Sequence, residues 1–440
     1  MWKNLLFGNL LYLLALLPLT SSATSVQTDR SWYLAGEAMT VSVVMDDALI
    51  AYAELCDTYG LAAGVAIDLH DGKGTGTVEL PPDLHSGYYV LSVYTRHRPE
   101  VSQQLVAIVN PLRKSEDDDI EWCKAEEGGS RCEVRGSSYE NSSGADSNFA
   151  PRTPNLTPRT SKPIDIRETE GHIIKARIKN VFGGHAFNSV QIRPSLGIIG
   201  KQIHFFEGQM VNDSTAVFYT YGIHGKQPMV LSAATTTGAS LPIEMISPFA
   251  TLLPNQLPHL VFHYNRSEVE ARSLDMQRHQ IAIAPARHEL QLGEQEDAAA
   301  EDGVPLDYDD RVFGSKPDLS YNLDEYRQFH TVREVLLEYV NCVRKRRIND
   351  VLKLFVRKKE AHYDNSWPAM VLIDGMPVID IERLLDYDAR RIHYINIYGG
   401  QYTFGNGIYN GLLSFISRSG RLTNYPTEPN TQYIVYHFPE

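Results

Sequence analysis

The sequence predicts a multidomain, β-rich chain in which two all-β sandwiches are followed by a small α+β domain. Three observations carry this reading. Short runs of alternating apolar and polar residues recur from Ser31 to Val109, and again from about 170 to 284, bounded by turn residues. Two acidic stretches with little apolar content separate these blocks and the region after them. Beyond Tyr321 the apolar period switches between that of a helix and that of a strand.

Residues 1–23 read as a secretory signal peptide. Lys3 precedes the apolar run Leu10 to Leu19, and Ser21, Ser22 and Ala23 supply small residues where a signal peptidase cuts. The run is short for a bilayer span, so the expectation is an exported chain beginning near Thr24, without a transmembrane segment. Residues 24–112 form the first expected sandwich, with strands such as AMTVSVVM, GVAIDL, GTVEL and GYYVLSVYTR. SEDDD, GGS, NSSGADS and PRTPNLTPRTSKP mark 113–168 as a disordered acidic, Pro- and Ser-rich linker. Its cluster Asp117, Asp118 and Asp119 lacks the interleaved spacing of a calcium loop and reads as solvated.

The second sandwich is expected over 169–284, through HIIKARIK, SVQIRP, KQIHFFEGQ, AVFYTYG, QPMVLSAAT and HLVFHYN. An acidic linker over 285–318 then leads to the α+β domain, 319–440. There TVREVLLEYVNCVRKR spaces Val332, Val335, Leu336, Tyr339, Val340 and Val343 as one face of a helix of about four turns. The run Arg344, Lys345, Arg346, Arg347 would lie on its solvated side. VLKLFVRK and AMVLID read as strands, IERLLDY as a helix, and IHYINIYG and GLLSFISRS as strands. The order suggests one αββ unit used twice.

Hydrophobic residues at 43% and charged residues at 22% describe a globular protein. A net charge of −13 argues against nucleic acid as a partner. In an oxidising compartment Cys123 and Cys132, which bracket a polar glycine-containing loop, could pair as a disulfide. Cys56 and Cys342 read as buried thiols, the latter within the helical pattern.

Two blocks resemble known families. TDRSWYLAGEAMTVSV (28–43) and LPPDLHSGYYVLSVYTR (80–96) resemble the β-sandwich found near the start of alpha-macroglobulins. The expected fold class is therefore two immunoglobulin-like or macroglobulin-like sandwiches, the second resembling the class in pattern alone. VLIDGMPVIDIERLLDYDARRIHYINIYGG (371–400), followed by QYTFGNGIYNGLLSFISRSG, resembles the plug domain of TonB-dependent outer-membrane receptors. Asp374 and Gly375 would form a tight turn, and the glycine-rich passage would let the backbone bend. This combination resembles a group of Gram-negative envelope proteins and implies a periplasmic or outer-membrane-associated location.

The same resemblances imply limits on activity. A TonB-dependent receptor needs about 22 barrel strands, whereas twenty residues follow Gly420, so transport by this chain is not expected. Leu292-Gly293-Glu294-Gln295 places Leu where a thioester needs the Cys sulfur. A G-x-S-x-G elbow and paired zinc-ligand histidines are not found in the sequence. His172, His185, His204 and His224 read as isolated surface or edge residues. Asp374 and Asp380 read as turn and helix-cap residues rather than an acid/base pair. Asn141, Asn155, Asn212 and Asn265 begin N-x-S/T strings, and Asp213-Ser214-Thr215 reads as a surface turn.

The expected function is that of a non-enzymatic envelope binding or scaffold protein, without a catalytic set, cofactor or metal. Its plug-like domain would dock on an envelope or outer-membrane protein. The candidate interaction loop is Gly399, Gly400, Tyr402, Phe404, Gly405, Gly407, Tyr409 and Gly411, with packing under the last strand as the alternative role for its aromatics. An accessory subunit of an outer-membrane uptake or secretion complex, or a hydrolytic accessory module, is the alternative function.

Overall fold

The computed structural model describes residues 25–46, 48–97, 100–112, 118–124, 168, 171–179, 192–200, 204–235, 239–290, 316–357, 367–404, 407–420, 422, 425–426 and 428–439. The expected signal peptide, Cys132, His185 and most of both expected linkers lie outside these residues.

Alternation at period two builds the first sandwich. Its strands are β1 (Ser25–Thr28), β2 (Trp32–Leu34), β3 (Ala38–Val44), β4 (Ile50–Cys56), β5 (Leu61–Asp68), β6 (Lys73–Glu79), β7 (Gly87–Tyr94) and β8 (Val101–Val109). A sheet of order β1-β3-β6 faces one of order β2-β8-β7-β4-β5. Met39, Val41 and Val43 point inward from β3 and meet Leu55, Ile67, Leu91 and Ile108 in one core.

The second sandwich follows from β10 (His172–Ile178), after a short strand β9 (Ile120–Lys124) that the linker reading did not foresee. It continues with β11 (Ile192–Ile198), β12 (His204–Glu207), β13 (Gln209–Asn212), β14 (Thr215–Thr220), β15 (Gly225–Thr235) and β16 (Ile243–Ile246). β17 (Leu260–Tyr264) leaves this unit and pairs in parallel with β9, and α1 (Arg266–Leu290) follows it.

The helix α1 corrects the sequence reading, which placed 266–284 in a sandwich and 285–290 in a linker. Its buried contacts come from Val269 and Met276, seven residues apart on one face, while most of its described side chains are exposed. So sparse an apolar stripe gives little periodic signal. Val269 and Met276 join Leu34, Val109, Leu260 and Phe262 in a cluster that covers one end of the first sandwich's larger sheet. Gly36, at φ 91°, makes this approach possible: a Cβ there would lie 2.5 Å from Gln280 Nε2 and 3.0 Å from Met276 Sδ.

The α+β unit begins with β18 (Leu319–Asn322) and α2 (Val332–Glu338). It continues with β19 (Val343–Ile348), β20 (Val351–Val356), β21 (Met370–Ile373), β22 (Met376–Pro377), α3 (Ile381–Asp386), β23 (Ile392–Phe404) and β24 (Gly407–Ser417). β18-β23-β24-β21-β22 form one sheet, and β19-β20 a separate pair. Val332, Val335, Leu336, Ile381, Leu384 and Leu385 bring both helices into the core under that sheet.

The expected four-turn helix is shorter than its pattern. α2 opens on a capping box between Thr331 and Glu334 and ends at Glu338. Continuing it would stack Arg344, Lys345, Arg346 and Arg347 in one helical turn, and the β-branched Val340 and Val343 favour it little. The chain instead turns through Asn349 and Asp350, at φ 48° and 63°, into the β19–β20 hairpin. The basic run is therefore an exposed strand, and Cys342 sits just ahead of it, half-buried. The first of the two expected αββ repeats is accordingly split: β21 joins β23 and β24 of the second in one sheet, while β20 pairs with β19 instead.

The last strand, β25 (Gln432–Phe438), does not belong to the α+β unit as expected. It pairs antiparallel with β15 from Gly225↔Phe438 to Leu231↔Gln432. The second sandwich therefore consists of β13-β14-β10-β16 against β12-β11-β15-β25, with Tyr436 and Phe438 in its core. The α+β unit is an insertion between α1 and the strand that completes this sandwich.

Candidate functional site

The α+β unit meets the second sandwich at the turn Asp374-Gly375. Both residues have positive φ, 47° and 83°, and close the two-residue connection between β21 and β22. The Asp374 carboxylate accepts hydrogen bonds from Ser417 N–H at 2.7 Å, Ser417 Oγ at 2.5 Å and Leu422 N–H at 3.0 Å. Burial raises its pKa, and these donors oppose that rise. The Gly375 carbonyl lies against Gly197 of β11, 2.6 Å from where a Cβ would stand. Ile199 and Val230 of the sandwich enter the α+β core directly. Asp380 caps α3 by accepting from Glu382 N–H.

The expected interaction loop is largely a long hairpin. Gly399 and Gly400 sit at a register shift in β23, and Gly399 N–H donates to Asp318. Tyr402 and Tyr409 face each other across β23 and β24. Both pack with Phe205 of β12 against Met370, Leu372, Tyr398 and Leu412, and the Arg193 guanidinium lies 5.7 Å from the Tyr409 ring centroid. Gly411, at φ 101°, admits Val356, whose Cβ would stand 2.8 Å from an added Cβ. Phe404 pairs with Gly407 in the ladder, whereas Gly405 and the Phe404 side chain lie outside the described residues. The structure thus brings Tyr402 and Tyr409 to the sandwich contact. Cys123 is buried in β9, and its expected partner Cys132 is outside the described residues.

The junction of the two sandwiches holds a polar cluster that the sequence reading missed. Glu168, assigned to a linker, and His172, read as an isolated edge residue, are both buried. Arg96 Nη1 donates to Glu168 Oε1 at 2.8 Å and to the Ile173 carbonyl at 2.7 Å. The Tyr52 hydroxyl donates to Glu168, 2.7 Å from Oε2, and Ile173 N–H donates to Oε1 at 2.9 Å. His172 Nδ1 lies 3.3 Å from Glu168 Oε1, and Nε2 lies 2.6 Å from the Tyr436 hydroxyl. A neutral His172 with its proton on Nδ1 satisfies every partner: Nδ1–H faces the carboxylate, and Nε2 accepts from Tyr436. Burial holds the His172 pKa below its usual value against the pull of Glu168. Burial alone would raise Glu168, but His172, Arg96 and Ile173 N–H bring it below the usual carboxylate range.

Beside it, Glu54 accepts from Thr251 N–H at 3.0 Å and from the Tyr94 hydroxyl at 3.0 Å, fixing the segment that follows β16 onto the first sandwich. The only sequence signal for these clusters was polar residues inside apolar strands, such as Glu54 in IAYAELC and His172 at the start of HIIKARI. Asp118 accepts from Ser86 N–H at 2.8 Å and Asp119 pairs with His259, so these two acidic residues anchor β9 instead of standing free in solvent.

A cleft of about 610 Å³ opens between β2 and α1, lined by Arg30, Trp32, Glu37, Arg272, Asp275 and His279 among others. Arg272 lies flat on Trp32, 3.6 Å from the ring centroid, and donates to Glu37 at 3.0 Å. The buried groups of the junction do not line this cleft. Among the described residues there is no group of His, Cys, Asp and Glu that could hold a metal ion, and no helix is long and apolar enough to cross a membrane.

Neither a family model nor a curated protein matches the sequence. Among solved structures, the chain is similar to trypsin-activated alpha-2-macroglobulin from Escherichia coli, with 11% identity over 52% of this chain and 16% of that one, at a TM-score of 0.19. It is similar to Salmonella alpha-2-macroglobulin reacted with methylamine, with 12% identity, 53% and 15% coverage and a TM-score of 0.19. The BSP domain of a biofilm-associated protein gives 11% identity, 53% and 30% coverage and a TM-score of 0.17. Each match spans less than a third of the other chain, and at scores this low none assigns a family or a residue role to this one.

Proposed function

We propose that the chain is a non-enzymatic binding or scaffold protein of the cell envelope, whose α+β unit, plug-like in sequence, docks on another envelope component. The observation that carries this reading is the position of β25. The second sandwich is completed only after the α+β unit, so the C-terminal end of that unit leads directly into a strand of the sandwich's sheet. A unit held at its C-terminal end by β25, and again at Gly197 and Tyr409, is presented in a fixed orientation, as a docking surface requires. The buried titratable groups support a structural role: Glu54, Glu168, His172 and Asp374 are each engaged by neighbouring donors or acceptors.

The test uses the intact chain, since truncation at 319 would also remove β25. A photo-crosslinking residue is placed at Leu337 or Trp367 on the α+β unit, and at Tyr59 or Tyr221 on the sandwiches, all exposed in this structure. The expected result is a discrete envelope protein crosslinked from the α+β positions. Crosslinks from the sandwich positions alone would overturn the assignment of docking to this unit.

A further inference from the structure

We propose that the outer edge of β19 receives an extended acidic polypeptide segment by strand addition, an inference that names a partner class for the α+β unit and rests on the docking reading above. β19 and β20 form a sheet of their own, with no third strand beside β19 among the described residues. The hairpin is nevertheless firmly seated, because Leu354 and Val356 of β20 are buried in the α+β core.

The register determines what that edge offers. Asn349 and Asp350 close a two-residue turn with Ile348 opposite Val351, which makes Ile348, Arg346 and Arg344 the residues hydrogen-bonded to β20. The peptide groups of Lys345 and Arg347 therefore point away from β20, as bonding groups that an added strand can use. Val343, next in that outward series, donates its N–H to the Val340 carbonyl, which ends the open stretch on one side.

Charge selects the occupant. Arg344, Lys345, Arg346 and Arg347 are all exposed on a chain whose net charge is −13. Arg347 is answered by Glu382 at 2.6 Å and Arg346 lies over Phe355 at 4.3 Å, while Lys353 opposite Arg346 adds another cation. The cations alternate between the two faces of the strand. A flat anionic surface can meet only one of these faces at a time, whereas an acidic strand running along the edge meets both and also uses the free peptide groups. The competing account is that cations on an edge strand merely guard it against self-association.

The experiment titrates the full-length chain into a fluorescein-labelled peptide of alternating glutamate and valine and follows anisotropy. Its controls are the same peptide N-methylated on alternate residues, which keeps the charge but cannot pair, and vesicles containing anionic phosphatidylglycerol. The expected result is saturable binding that salt weakens, that falls about tenfold or more with the N-methylated peptide, and that falls similarly in R344E/K345E, with vesicles not competing. Circular dichroism verifies that the variant is folded. Equal affinity for both peptides, preferential vesicle binding, or no binding each overturns the proposal; no binding together with self-association of R344A/K345A establishes the guard role. Persistence of the crosslinks from Leu337 or Trp367 when peptide binding fails would sink this inference alone. Loss of those crosslinks with peptide binding intact would sink the docking reading instead.

Discussion

The hydroxyl of Tyr436 lies 2.6 Å from Nε2 of His172, joining the last strand of the chain to the first strand of the second sandwich across a buried junction. His172 is neutral in this arrangement, and burial keeps its pKa below the unfolded value. Between the folded and unfolded pKa the unfolded state binds more protons, so this contribution is complete above about pH 6.5 and is lost as pH falls toward the folded pKa. Glu168 has the same sign lower down: its folded pKa is depressed, and its contribution is lost as pH falls below the usual carboxylate range. The expected outcome is that wild type loses stability relative to H172Q as pH is lowered from 7 toward 5, measured by urea unfolding. A difference that does not change across that range would count against a neutral His172. Independently, Tyr436→Phe leaves Nε2 buried without its donor and should cost about 1–3 kcal/mol at neutral pH.

Glu428 should show the opposite slope. It is buried, accepts from the Tyr425 hydroxyl at 2.9 Å and from Asp380 N–H at 3.1 Å, and burial pushes its pKa up to about 7. The folded state then binds the proton more tightly, so stability is fully present below about pH 4.5 and is lost as pH rises through the folded pKa. Glu428→Gln keeps the size and stays neutral. Its stability relative to wild type should improve from pH 5 to about pH 7 and then level off, and parallel profiles would show that Glu428 is ionised throughout.

What the sequence made legible was local: alternation over AMTVSVV gave β3, and the Asp374-Gly375 pair gave a two-residue turn. The parts it hid depend on partners far away along the chain. β25 is a good strand by pattern, but nothing in QYIVYHF says that it pairs with β15 rather than with the neighbouring β24. Arg344 to Arg347 fit a helical phase as well as a strand, and the choice is made by the turn at Asn349 and the apolar face of β20. Glu168 looked like linker because its burial depends on Arg96, Tyr52 and His172, each from a different element. The candidate loop was located in sequence, but the engagement of Tyr409 with Arg193 and Phe205 is visible only once β11 and β12 are placed beside it.

Gly197 tests the seam between the second sandwich and the α+β unit. A Cβ at this position would stand 2.6 Å from the Gly375 carbonyl and 3.1 Å from Pro377 Cδ. The first of these is backbone in a tight turn and cannot rotate away. Gly197→Ala should therefore cost about 1–3 kcal/mol by overpacking, with increased protease cleavage at the seam. A neutral effect on the denaturation midpoint would mean that the two units slide apart without penalty.

Arg272 tests whether α1 is held to the first sandwich by its guanidinium. The group stacks on Trp32 at 3.6 Å, donates to the Trp32 carbonyl at 2.8 Å and bonds both oxygens of the buried Glu37. A lysine would keep the charge but lose the planar stack and the forked bonding, because an ammonium is a compact point charge. Arg30 also reaches Glu37, at 3.2 Å, so the carboxylate would not be left without a cation. Arg272→Lys should therefore cost only about 1–2 kcal/mol, concentrated in the docking of α1. Amide hydrogen exchange should accelerate across 266–280 while β4 and β7 keep their protection. Uniform acceleration over the whole first sandwich would show that the Arg272–Glu37 pair supports the sheet itself rather than the helix laid upon it.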